Sequence, residues 1–401
     1  MNRRLSSVSS LGKGQPRNRP RPGGETSCGF IGSSRFSRSW YDPSQQQDCP
    51  QRWSGRPRLC HKVNGNPQRK EICEMAAIYY DSDANTEILK HKSIALIGYG
   101  NQGRAQALNM RDSGIEDIII GGRQDDYLDR AASEGFQVAT VQEASRKADI
   151  VFLLIPDEIA PSVYQESIEP HLRKGAALNF ASGYNITFGF IAPPPEVDVI
   201  MVAPRMIGEG VRECYLKGTG FPSFIAVEQD ATGSAKEIAL GIAKAIGSTR
   251  RGAIEVSFRH ETIMDLMAEQ ATWPLILSVL TEVFRFQVEK GIPEEAALME
   301  LYVSKEPAVM LEKMADMGLF KQMPLHSHTS QYGQLSRFKQ VDKNYIRGFI
   351  EKQFEKIQSG KFASEWRSEQ ERGLSLFKSL LEEALASPIS QAEERLKSRL
   401  K

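Results

Sequence analysis

The chain has 401 residues, 40% of them hydrophobic and 25% charged, with a formal net charge of +1. That length holds two domains and a tail, and no apolar run approaches the roughly 18–20 residues that cross a bilayer. Residues 1–74 carry 14 Lys and Arg against 5 Asp and Glu and the rest 37 against 45, so the body is mildly acidic, which argues against nucleic acid as its partner.

Segment 1–74 is rich in Arg, Ser, Pro, Gly and Gln and has no sustained apolar period, which reads as a disordered basic extension. Residues 1–40 carry eight Arg and Lys and one acid, Glu25, a composition that fits an organellar, for instance mitochondrial, transit segment. The alternative is an extension ahead of a start at Met75, which would make the protein cytoplasmic. Four of the five cysteines (Cys28, Cys49, Cys60, Cys73) lie in this segment without any C-x₂₋₄-C pair, so zinc is a poor reading. Cys214 alone lies in the body, as suits a reducing compartment, and it has no activating partner in sequence.

From residue 93 the pattern alternates. Strands are predicted at 93–98, 117–120, 149–155, 176–180, 198–203 and 223–228. Helices are predicted at 102–113, 127–135, 141–147, 162–172 and 234–246. Several strands are near-continuous apolar runs, as in a parallel sheet covered on both faces. The expected fold is an α/β Rossmann domain with a doubly wound parallel sheet, over residues 75–257.

The first strand runs into Gly98-Tyr99-Gly100-Asn101-Gln102-Gly103, a G-x-G-x-x-G between a strand and a helix as dinucleotide binding requires. Gly98 permits the turn, Gly100 admits a pyrophosphate, Gly103 lets helix and strand pack, and the helix N-terminus offers free N–H groups. After the second strand come Arg123, Gln124, Asp125 and Asp126, where the adenosine ribose should lie. Arg123 suits a 2′-phosphate or stacking on adenine. Asp125 or Asp126 suits a 2′-hydroxyl, or simply a helix start. Both NADH and NADPH stay open, with the two acids leaning toward NADH.

Beyond residue 258 no strand is evident. Helical periods cover 260–290, broken or kinked near Pro274, then 294–317, interrupted near Pro307, then 344–359 and 364–386. An all-α domain is expected over 258–401. Asp265 and Glu269 are four apart on one helix face, and the repulsion between them would be relieved by a divalent cation such as Mg²⁺. His326-Ser327-His328 lacks a third metal ligand and reads as a polar loop.

These residues, taken together, resemble the ketol-acid reductoisomerase (acetohydroxy-acid isomeroreductase) family in its shorter form. The likeness begins at Met75-Ala76-Ala77-Ile78-Tyr79-Tyr80-Asp81 and passes through the glycine motif and Ile155-Pro156-Asp157-Glu158. It continues through Ser182-Gly183-Tyr184-Asn185-Ile186, Met201-Val202-Ala203-Pro204 and residues 225–233. Asp265-Leu266-Met267-Ala268-Glu269-Gln270 and residues 327–333 complete it. The resemblance implies a knotted helical domain, a homodimer with shared active sites, two Mg²⁺ ions, and an alkyl migration followed by hydride reduction of a 2-keto acid. It implies metal-binding roles for Asp265 and Glu269, and for Glu300 supplied by the partner subunit. It implies a substrate contact at Ser327.

The departures fall on catalytic positions. The family histidine before Gly-Phe-Asn-Ile is Ser182, and the lysine after Ala-Pro is Arg205, followed by Met206-Ile207-Gly208-Glu209 in place of Gly-Pro-Gly-His. The second glutamate of the partner's pair is Ser304, unless Glu306 substitutes. Arginine does not replace a compact ammonium, and serine does not titrate near neutrality. The expectation is an NAD(P)H-dependent oxidoreductase acting on a 2-keto acid, an imine or a related small polar substrate, with its isomerase step weakened. A complete ketol-acid reductoisomerase of branched-chain amino-acid biosynthesis and a non-catalytic dinucleotide-binding relic are the alternatives.

Overall fold

The computed structural model describes residues 75–400, and these fall in one unit, Ile72–Lys401. The basic segment 1–74, with its targeting reading and its four cysteines, lies outside the described residues. A nine-stranded sheet organises the first part. In chain order its elements are β1 (Ile78–Tyr79), β2 (Ile94–Ile97), α1 (Asn101–Asp112), β3 (Ile118–Gly121), α2 (Asp126–Ser133), β4 (Gln137–Ala139), α3 (Val141–Lys147) and β5 (Ile150–Leu153). There follow α4 (Ala160–Val163), β6 (Ala177–Phe180), α5 (Tyr184–Thr187), β7 (Asp198–Pro204), α6 (Gly208–Leu216), β8 (Ser223–Gln229), α7 (Ala235–Ile246) and β9 (Ala253–Glu255).

The strand order is β1-β9-β8-β7-β6-β5-β2-β3-β4. Every neighbouring pair is parallel except β7–β8 and β1–β9. Every residue of β2, β3, β5 and β6 is buried, which is why their sequences run apolar without alternation. Leu96, Ile120 and Phe152 pack on one face with α1 and α7, and Ile97, Val151 and Leu153 on the other with Ala144 and Phe258. The chain leaves β2 for β3 on one side and reaches β5 on the other. This switch point opens a crevice at the carboxyl ends of the strands, where α/β proteins bind ligands.

Helices alone make up the second part. They are α8 (Phe258–Met267), α9 (Trp273–Glu289), α10 (Glu294–Leu298), α11 (Glu306–Met317), α12 (His328–Phe338), α13 (Lys343–Gln358), α14 (Lys361–Glu371), α15 (Ser375–Leu385) and α16 (Pro388–Lys397). Three sequence expectations need correction. Pro274 does not break its helix: a π-helical turn, Ala268–Thr272, joins α8 to α9. That wide turn bonds Trp273 N–H to Ala268 C=O and absorbs the proline. His328 opens α12 instead of lying in a loop. The predicted helix at 364–386 is two, parted where Gly373 and Leu374 take positive φ.

Candidate active site

The glycine loop is built as its residue types demand. Gly98 has φ +102° and Gly103 backs onto it so closely that a Cβ there would lie 2.1 Å from the Gly98 carbonyl oxygen. Gly100 faces open space, which is room for a pyrophosphate before the N-terminus of α1. Beside it lies a cavity of ≈ 300 Å³ lined by Gly98, Tyr99, Gly100, Arg123, Asp125 and Pro156, among others. Tyr99 turns its hydroxyl away, to Glu134 at 2.6 Å. Asp125 caps α2, accepting from the N–H groups of Tyr127 and Leu128, and Arg123 points outward, 87% exposed. Asp126 is exposed at the start of α2. Asn101 and Gln102 open α1, and the Gln102 amide donates to the Met206 carbonyl at 2.8 Å.

That last bond ties the dinucleotide loop to the segment carrying Arg205. The tie is tight, since a Cβ on Gly208 would lie 2.1 Å from the Asn101 carbonyl oxygen. Arg205, at the end of β7, donates from Nη1 to Glu261 Oε1 at 3.0 Å and from Nη2 to Asp265 Oδ1 at 2.5 Å. The other oxygen of Glu261 accepts the Gly183 N–H at 2.8 Å. Gly183 has no room for a side chain against Phe258 and Thr262. One buried carboxylate thus holds together the turn before α5, the end of β7 and the face of α8.

A second cavity, of ≈ 420 Å³, is lined by Asp157, Glu158, Ser182, Tyr184, Asp265, Glu269 and Trp366 with neighbouring residues. The fold therefore brings Ser182, Arg205, Asp265 and Glu269 together. Burial, then the charges of Glu158, Asp265 and Glu269, push the Asp157 carboxyl up to about 6. Burial pushes Glu261 up to about 7, against the pull of the Gly183 N–H and Arg205. Glu269 is raised by burial and by Asp265. Acids raised chiefly by burial and further by one another in a cleft make it a candidate functional site.

Asp265 and Glu269 are oxygen donors of the kind Mg²⁺ takes, and the carboxylate of Glu269, raised by burial and by Asp265, fits a cation beside it. Among the described residues no three His, Cys, Asp or Glu side chains of one chain cluster as a metal site. Glu300, Ser304 and Ser327 do not line the cavity. Glu300 is exposed in a π-helical turn, Met299–Val303. The Ser304 hydroxyl accepts from the Glu306 N–H at 3.4 Å, and Ser327 caps α12.

Asp157, Glu261 and Tyr184 escaped the sequence reading. Glu261 was detectable: it extends Asp265 and Glu269 by one more step of four along the same face. Nothing in the spacing pointed to the Tyr184 hydroxyl, which is buried and has no hydrogen-bond partner.

A glycine-bearing crevice at a sheet switch point, opening beside an acidic helical cleft, defines a dinucleotide-dependent oxidoreductase. The acetohydroxy acid isomeroreductase NADPH-binding domain matches residues 88–252, and the ketol-acid reductoisomerase C-terminal domain matches residues 258–401. The chain is 42% identical over 324 residues to the ketol-acid reductoisomerase (NADP(+)) of Pyrococcus abyssi, across 80% of this chain and 95% of that one. It is 42% identical over 327 residues to the enzyme of that name from Pyrobaculum aerophilum, across 81% and 99%. The solved structure of an NADH-preferring ketol-acid reductoisomerase from an uncultured archaeon matches with a TM-score of 0.76 at 33% identity, across 81% of this chain and 99% of that one. The chain belongs to the ketol-acid reductoisomerase family and is an oxidoreductase.

Proposed function

We propose that this protein reduces a 2-keto acid or a related small polar substrate to the hydroxy acid at the expense of NAD(P)H, and that the alkyl shift of its family is weakened. The observation that carries this reading is Arg205. Its planar fork is committed at both ends, to Glu261 and to Asp265, where the family pattern has a compact ammonium. Reduction asks for a positioned dinucleotide and a polarised acceptor, and the loop and cleft for both are intact. The alkyl shift asks for stabilisation of a larger charge rearrangement, and Ser182 and Arg205 are the polar groups that differ.

When bound, the dinucleotide supplies the hydride. A divalent cation held by Asp265, Glu269 and a third carboxylate would polarise the acceptor oxygen. Arg205 orients Asp265, and Glu261 orients Arg205. Arg123 and Asp125 both line the dinucleotide cavity, 3.8 Å apart; the balance leans to NADH through the Asp125 carboxylate, which would repel a 2′-phosphate, while Arg123 would attract one.

The helical part leaves large apolar side chains uncovered, among them Trp273, Leu277 and Phe286 of α9 and Leu311 of α11. A homodimer would cover them, and the exposed Glu300 of a second copy would complete the carboxylate set. The functional reading is tested by the double variant Ser182→His, Arg205→Lys. It is expected to convert 2-acetolactate about tenfold faster than wild type with no gain in keto-acid reduction. No gain on 2-acetolactate contradicts the reading.

A further inference from the structure

We infer that Gln102 is a positioning residue whose side chain carries occupancy of the dinucleotide loop across to Arg205. This deepens the function proposed above, and it rests on that reading for the part Arg205 plays. Gln102 is the second residue of α1. The Arg104 N–H donates to the Gly100 carbonyl and opens the helical ladder, so the backbone N–H groups of Asn101, Gln102 and Gly103 have no intrahelical partner and suit an anion. The residue that offers its N–H to a pyrophosphate also sends its side chain to another segment, donating to the Met206 carbonyl at 2.8 Å. The orientation of that amide is fixed. Its oxygen accepts from the side-chain amide of the fully buried Gln106 at 3.1 Å. Its nitrogen faces a carbonyl, which only accepts, so a reversed amide would set oxygen against oxygen.

Arg205 and Met206 form the bend between β7 and α6. On one side the Arg205 N–H donates to the Pro222 carbonyl at 2.9 Å, and on the other Gln102 holds Met206. A side chain on Gly208 would strike the Asn101 carbonyl, so α1 and the bend shift together. The Arg205 guanidinium lies over the Phe224 ring, 5.1 Å from its centre, and reaches Glu261 and Asp265 of α8. An anion bound at the loop steadies the start of α1, Gln102 passes that to the bend, and Arg205 passes it to Asp265 in the acidic cleft. Two sites joined in this way share a coupling free energy, worth about fivefold or more in affinity.

The test is hydrogen exchange in the full chain, with and without saturating NADH, in wild type and in Gln102→Met. Methionine keeps an unbranched, helix-forming side chain and has no donor. In wild type NADH is expected to slow exchange at the glycine loop and, by about fivefold or more, in α8. In the variant the slowing is expected to stop at the loop. With 3-hydroxy-3-methyl-2-oxobutyrate and Mg²⁺, the kcat of the variant is expected to fall by about 10- to 100-fold while its KM for NADH holds within about threefold. A side chain that merely supported the fold would not give that split. Wild-type slowing confined to the loop, or slowing of α8 that persists in the variant, overturns the assignment. An unchanged kcat or a lost NADH affinity in Gln102→Met overturns it as well. If wild type itself fails to reduce the keto acid, the functional reading falls, while the exchange pattern still decides the coupling.

Discussion

At the residue scale the site is governed by carboxylates held above their ordinary pKa. Asp157 rises from about 3.8 to about 6, so folding favours its protonated form. Its contribution to stability is full below the unfolded value and is lost as pH rises through about 6. Asp157→Asn keeps the acceptor for Asn185, whose amide donates to it at 3.1 Å, and removes the charge. Denaturant melts should show the variant more stable than wild type at pH 7 by about 3 kcal/mol, with the gap closing toward pH 4. A gap that persists at pH 4 would contradict the assignment. Arg205→Ala should lower keto-acid reduction by about 10²-fold with NADH affinity held within about threefold. Equal loss of cofactor binding would mean that Arg205 serves the glycine loop instead.

At the element scale, two of the three candidate metal carboxylates, Glu269 and Glu300, lie in π-helical turns. One wide turn re-aims a side chain while the helix continues, which is why such turns gather at functional sites. Asp125 separates capping from selectivity. Asp125→Ser keeps a capping residue at the start of α2, so stability should hold within about 0.5 kcal/mol. The KM for NADPH should fall by about tenfold, one 1.4 kcal/mol step, and an unchanged NADPH KM would leave Asp125 a cap alone.

What could be read beforehand divides along the same lines. Strands β2, β3, β5, β6 and most of β7 were legible because full burial writes continuous apolar runs, and β8, part-exposed at its end, through its apolar first half. The edge strands β1 and β4 and the short β9 span only two or three residues, too few to carry a period. The pairing of Asp265 with Glu269 was legible from helical spacing. The ion pairs of Arg205 were not, because they join residues 56 and 60 positions apart.

At the scale of the whole molecule, α9 is the clearest unfinished surface. Its exposed Leu277 and Phe286 would meet a second copy in the proposed dimer. Leu277→Glu should yield a monomer by sedimentation and lose turnover with its melting behaviour otherwise intact. A dimer that persists would contradict the placement of that interface.

The proposed function turns on which half of a two-step reaction survives. The most direct measurement compares two substrates on the purified chain with NADH and Mg²⁺: 2-acetolactate, which must rearrange first, and 3-hydroxy-3-methyl-2-oxobutyrate, already rearranged. Rapid NADH oxidation with the second and slow or absent oxidation with the first is the predicted result. Equal rates on both would contradict it.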